Sequence, residues 1–114
     1  MALTQTQLSR MKELVGAGLT RPLAWRREQL QRLSNLVEEH ESEVLDALAA
    51  DLGKPPTEAF FELVALRQEL KLTGRQLERW MRPRRVAVPL SLRPGQAKVV
   101  PEPLGCVLVI GPWN

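Results

Sequence analysis

Cysteine and histidine each occur only once in the 114 residues, and that scarcity removes several kinds of chemistry at the outset. A single thiol allows no internal disulfide framework, which fits a reducing compartment. The single imidazole, His40, has no second histidine with which to share a metal. The carboxylates around it, Glu38, Glu39, Glu41, Glu43 and Asp46, therefore read as a solvated helix face, and no metal site is expected. The opening residues, MALTQTQLSRMKELVG, have no basic region followed by an apolar core, so they are not a secretory signal. No apolar run approaches the roughly 20 residues that span a bilayer. Membrane association is thus not visible in this stretch, and a soluble, cytoplasmic chain is expected. Glycine-rich phosphate loops are missing too: no Gly-x-Gly-x-x-Gly is present, and no P-loop with its lysine. A dinucleotide bound here would have its pyrophosphate held by something other than first-turn glycines.

The charge balance is equally unassertive. Sixteen Lys and Arg stand against thirteen Asp and Glu, a net charge of +3, which does not amount to a nucleic-acid footprint. Arg79, Arg82, Arg84 and Arg85 do cluster, but the Trp80 among them falls within an apolar helical pattern and reads as core, so no nucleic-acid partner is expected. The length is that of one ordinary domain, and 44% hydrophobic residues would suffice for a core. Their distribution argues otherwise, because helical signals fill the first four-fifths and strand signals crowd the end.

Thr4 is placed to cap a first helix that runs to about Gly16. Thr20 is placed to cap a second, with Pro22 in its first turn, where a missing N–H costs nothing. Leu23, Leu30, Leu33, Val37, Val44, Leu48 and Leu52 keep mostly to one face, which predicts a single rod to Leu52, roughly 46 Å long. Gly53 and the Lys54-Pro55-Pro56 run end it, and a third helix is expected from Pro56 to Met81, weakened by Gly74. Pro83 closes the helical part, residues 1–82. Two edge strands follow within residues 83–103, at 86–90 and 97–101, with Pro89 barring the first from the centre of a sheet.

The chain is organised around its last stretch, residues 101–114, PEPLGCVLVIGPWN. The apolar run from Leu104 to Ile110, closed by Gly111-Pro112, predicts a strand buried on both faces, as in the middle of a parallel sheet. Ligands of open α/β sheets bind beyond the carboxyl ends of such strands, which is where Gly111, Pro112, Trp113 and Asn114 stand. Such a strand needs neighbours that this sequence does not supply, so the expectation is the amino-terminal part of a larger protein. Cys106, set among apolar residues with no cation nearby, reads as a buried, inert thiol. Asn114 reads either as a turn former or helix cap or as an amide aimed into the crevice, able to donate to a developing oxyanion.

Residues 102–114, E-P-L-G followed by V-L-V-I-G-P-W-N, resemble the aldehyde dehydrogenase superfamily, most closely its class 3 branch acting on fatty or aromatic aldehydes. Thr20-Arg21-Pro22-Leu23 resembles that branch in order and spacing. So does Ala47-Leu48-Ala49-Ala50-Asp51-Leu52-Gly53-Lys54 with Glu58-Ala59-Phe60-Phe61-Glu62. The resemblance implies an α/β fold: amino-terminal helices lead into the first strands of a Rossmann-like cofactor-binding domain, with 104–114 as the first buried strand of its sheet. It implies NAD or NADP as cofactor, lined by Ile110, Gly111, Pro112 and Trp113, and an aldehyde substrate oxidised to a carboxylic acid through a cysteine thioester. Asn114 would hold the oxyanion. The strands at 86–90 and 97–101 would belong to a region bridging the subunits of a homodimer. The nucleophilic cysteine, the general-base glutamate and the Tyr-Pro expected after Trp113-Asn114 are not among these residues, so the 114-residue chain alone should be inactive. The rival expectation is a non-catalytic module that docks a partner through its leucine-rich helix faces.

Overall fold

The cap expected at Thr4 is formed, and Gln7 completes it as a capping box. In the computed structural model, which describes residues 4–111, the Thr4 side chain accepts from the Gln7 N–H at 3.3 Å. The Gln7 side chain in turn accepts from the Thr4 N–H at 2.8 Å. Helix α1 (Gln5–Gly16) starts there, two of its orphan N-terminal donors satisfied reciprocally.

Helix α2 (Leu23–Glu39) begins directly after Pro22. The rod expected to reach Leu52 is instead two helices, with α3 spanning Glu41–Leu52. His40 stands between them at φ −111°, ψ 23°, outside helical geometry. The hydrogen-bond ladder nevertheless continues across it: the His40 N–H donates to the Leu36 carbonyl at 3.1 Å, and its own carbonyl accepts from Val44 at 3.0 Å. The joint is therefore a kink. It falls within the run Glu38-Glu39-His40-Glu41-Ser42-Glu43. The joint at His40 puts Glu41 and Glu43 in the first turn of α3, where carboxylates are favoured, and leaves Glu38 and Glu39 in the last turn of α2, where they are not. Gly53 closes α3 in the left-handed conformation, φ +63°, its N–H bonded to the Ala49 carbonyl at 2.9 Å, which glycine adopts without a Cβ penalty. Helix α4 (Pro56–Met81) has the predicted limits.

Residues 26–80 form one compact unit, and it holds every buried apolar side chain among the described residues: Val37, Ala59 and Leu63. Fully burying a Val or Leu is worth about 1.5–3 kcal/mol, so this core is small. The Arg67 guanidinium lies 2.5 Å from the Glu41 carboxylate and ties α4 to the start of α3. Arg27 and Glu78, at 3.0 Å, tie α2 to the far end of α4. Lys54, its side chain only 11% exposed, is paired with Glu62, so the partly covered ammonium at the turn before α4 carries its own counter-charge.

The other unit combines residues 4–25 with 81–111. Its strands β1 (Arg84–Val86) and β2 (Ala97–Val99) pair antiparallel, with Arg84 opposite Val99, Arg85 opposite Lys98 and Val86 opposite Ala97. The first strand is shorter and earlier than expected. Pairing stops before Pro89, which has no N–H to give a ladder, and one turn of 3₁₀ helix (Leu90–Leu92) follows.

The run Leu104 to Ile110 departs from expectation. Residues 100–111 carry no strand, and Leu104, Leu108, Val109 and Ile110 are each more than four-fifths exposed. A central strand exists only through the ladders on its two sides, and the described residues contain no other strand than β1 and β2, which pair with each other. The composition of a buried strand is present without the sheet that would bury it.

Candidate functional site

The segment that leads to the candidate site is held at two points. Glu102 accepts an ion pair from Arg21 at 3.1 Å. Both side chains are well exposed, so the pair orients the segment more than it stabilises it. Three residues on, Gly105 turns the backbone through φ +88°, a left-handed conformation that costs other residues roughly 1–2 kcal/mol. A Cβ at Gly105 would stand 3.6 Å from Cγ1 of Val15, which places this turn against α1. The two motif stretches Thr20-Arg21-Pro22-Leu23 and Glu102-Pro103-Leu104-Gly105, far apart in sequence, are thus joined through a side-chain pair. Sequence reasoning missed that contact. Its only signal was an unpaired Arg in one stretch and an unpaired Glu in the other.

Beyond Cys106 the segment is exposed. Ile110 and Gly111, two of the expected cofactor contacts, are exposed, and nothing lies within 4 Å of where a Cβ at Gly111 would stand. Pro112, Trp113 and Asn114 lie outside the described residues. Cys106 is half-buried, which corrects the expectation of a buried thiol: the run that was to enclose it is itself exposed.

Among the described residues no group of three or more His, Cys, Asp or Glu side chains is arranged to hold a metal ion. No described helix is long and apolar enough to cross a membrane. His40 is exposed, and its Nδ1 lies 3.0 Å from Oε1 of Glu43. The hydrogen bond and the charge of Glu43 raise its pKa above the ordinary 6.5, with a smaller push from Glu39. This is a local pair on a solvated helix face, as read from the sequence.

Residues 15–114 match the model of the aldehyde dehydrogenase family. Aldehyde dehydrogenase family 3 member H1 of Arabidopsis thaliana is 44% identical over 98 residues, 85% of this chain and 20% of that protein. Aldehyde dehydrogenase family 3 member B1 of Homo sapiens is 41% identical over 108 residues, 94% of this chain and 23% of that protein. The chain therefore spans about a fifth of the length of these relatives, whose names carry the class 3 designation. A substrate-bound structure of AldH from Staphylococcus aureus superposes with a TM-score of 0.84 at 29% identity, covering 90% of this chain and 23% of that one. The four helices and two-stranded sheet are accordingly an α/β segment of that fold. With its match running from Val15 through the closing Trp113-Asn114, the chain belongs to the aldehyde dehydrogenase family.

Proposed function

We propose that the protein to which this segment belongs oxidises aldehydes to carboxylic acids with NAD or NADP, and that Asn114 is its oxyanion donor. The observation that carries the reading is the family match extending through residues 102–114, the stretch in which a strand-like apolar run opens into Gly111-Pro112-Trp113-Asn114. A non-catalytic helical module has no need of that stretch.

In the proposed reaction a cysteine thiolate outside these residues adds to the aldehyde carbon, and the carbonyl oxygen becomes an oxyanion. The Asn114 amide donates a hydrogen bond to it. A donor aimed where charge develops stabilises the transition state more than the substrate. A nicotinamide cofactor held against Ile110, Gly111, Pro112 and Trp113 would supply the hydride acceptor that turning the adduct into a thioester requires. A glutamate, also outside these residues, takes a proton from water as it attacks the thioester, which releases the carboxylate and restores the thiolate. Ile110, Gly111, Pro112 and Trp113 line the cofactor. The exposed Ile110 side chain and the open space over Gly111 suit the approach of a flat ring to the backbone.

The residues at 104–114 are read as the first strand of the cofactor-binding sheet, and β1 and β2 as part of the region bridging two subunits of a homodimer. A cytoplasmic location is supported by the single cysteine, which fits a reducing compartment. One relative from Arabidopsis thaliana is named as chloroplastic.

The test is Asn114→Ala in the full-length protein. Expected is a loss of about 10²–10³ in kcat, with the Kd for the nicotinamide cofactor unchanged. An unaltered kcat would remove Asn114 from the oxyanion site, and absence of aldehyde oxidation by the full-length protein would remove the reaction itself.

A further inference from the structure

Helix α4 breaks two helix rules at one place. Arg67, Lys71, Arg75 and Arg79 recur every fourth residue, so like charges are stacked along one stripe. Each such neighbouring pair opposes the helix. Gly74 lies beside the stripe in the helix interior, where glycine is less favourable than alanine. Neither cost is explained among the described residues. Arg67 has Glu41, but no described carboxylate lies within ion-pair distance of Lys71 or Arg75. Nothing lies within 4 Å of where a Cβ at Gly74 would stand, so no neighbour forbids alanine there, and its backbone is not in the left-handed region.

These residues share a groove. Lys71, Gly74 and Arg75 line one wall of a cavity of about 540 Å³ between α4 and α2, a volume in the range of small-molecule sites. Leu30 of α2 and Leu70 of α4 give it apolar surface, and Ser34 and Gln31 add polar atoms from α2. Arg27 and Arg67 also line it, each already paired with a glutamate. Glu38, on the α2 wall, limits the anionic part of a ligand to the α4 side. Local rules broken without repayment inside a fold mark functional places.

We propose that this groove binds a small organic phosphate: the phosphate lies between Lys71 and Arg75, close over the bare backbone of Gly74, and an apolar body rests on Leu30 and Leu70. The proposal does not rest on the aldehyde chemistry proposed for residues 110–114. Two cations one helical turn apart supply charge-assisted donors to the phosphate oxygens, and the missing Cβ allows the close approach.

Phenyl phosphate is the probe, titrated into the protein by calorimetry, with inorganic phosphate and benzyl alcohol as the separate halves. Expected is a Kd below about 1 mM for phenyl phosphate, with each half at least about tenfold weaker. Arg75→Gln and Lys71→Gln should each weaken binding at least about tenfold with helical circular dichroism retained, and Arg75→Lys should keep it. Gly74→Ala is the decisive variant, because a merely structural glycine and a ligand-contacting one behave differently. It should raise the melting temperature without ligand while weakening phenyl phosphate at least about tenfold. No binding of phenyl phosphate, binding indifferent to the two glutamine variants, or Gly74→Ala that stabilises and binds as before would each overturn the proposal. So would an acidic peptide, poly-glutamate, binding where phenyl phosphate does not, which would assign the stripe to a protein partner.

Discussion

Replacing Gly105 with alanine should destabilise the unit that carries the site, and the cause should be the backbone rather than the added methyl group. At φ +88° an L-residue other than glycine pays roughly 1–2 kcal/mol. The methyl itself would sit 3.6 Å from Val15 Cγ1, an ordinary van der Waals contact, so no steric cost adds to this. For a domain of about 100 residues, 1 kcal/mol moves Tm by about 4–8 °C, so a fall of roughly 4–16 °C is expected for Gly105→Ala. Thermal melts followed by circular dichroism measure it, with urea denaturation as the check on free energy. Two further variants separate the causes. Gly105→Asn should lose less than Gly105→Ala, because asparagine tolerates the left-handed region better. Val15→Ala combined with Gly105→Ala should recover nothing. Recovery in that double variant would show that packing against α1, and not φ, fixes glycine at 105, and the reasoning would fail.

Thr4→Ala removes the capping box and should cost about 1 kcal/mol, in the 0.5–2 range for such caps, seen as lost helicity in the first turns of α1 by amide hydrogen exchange. Leu63→Ala empties one of the buried positions and should cost 2–5 kcal/mol by the usual core scale, about the whole margin of a small core; urea titration would show a chain unfolded or nearly so. For His40, the folded pKa lies above 6.5 because of Glu43. Its pairing thus contributes stability below about that pH and loses it as pH rises through the raised value. As the only histidine, its imidazole resonances can be followed by NMR without ambiguity, and Glu43→Gln should return the midpoint toward 6.5; an unmoved midpoint would assign the shift elsewhere.

Much of the helical part was legible in the sequence because its boundaries are made of local chemistry. Thr4, Gly53, Pro56 and Pro83 each mark an end through a cap, a left-handed residue or a proline. The kink at His40 was not legible from apolar spacing, since the ladder continues through it and the leucine face hardly changes. The apolar run at 104–110 shows the opposite limit. Its residues state what a buried strand would be made of, yet burial is a property of neighbours, and neighbouring strands are not local. The approach to the site was half legible: the motifs on either side of the Arg21–Glu102 pair could be read, but not their meeting, because long-range pairing of exposed charges leaves no periodic trace. Asn114 and its two predecessors lie outside the described residues, so their roles rest on the family match and on the proposed variant.

The exposed run at 104–110 also sets a handling problem during synthesis. Seven successive residues without a charge or a proline, rich in Val, Leu and Ile, have the composition of segments that add to one another edge to edge. The chain brackets them with Pro101 and Pro103 before and Gly111-Pro112 after, breakers that act as gatekeepers against a spreading ladder. Translation proceeds at about 5–20 residues per second, and a strand of this kind stays uncovered until its sheet partners are made. Its protection in that interval is kinetic and lies in those flanking prolines. Replacing Pro101 and Pro103 together by serine would lengthen the segment able to pair with a second nascent chain, and the yield of soluble protein would fall before any property of the folded state changed.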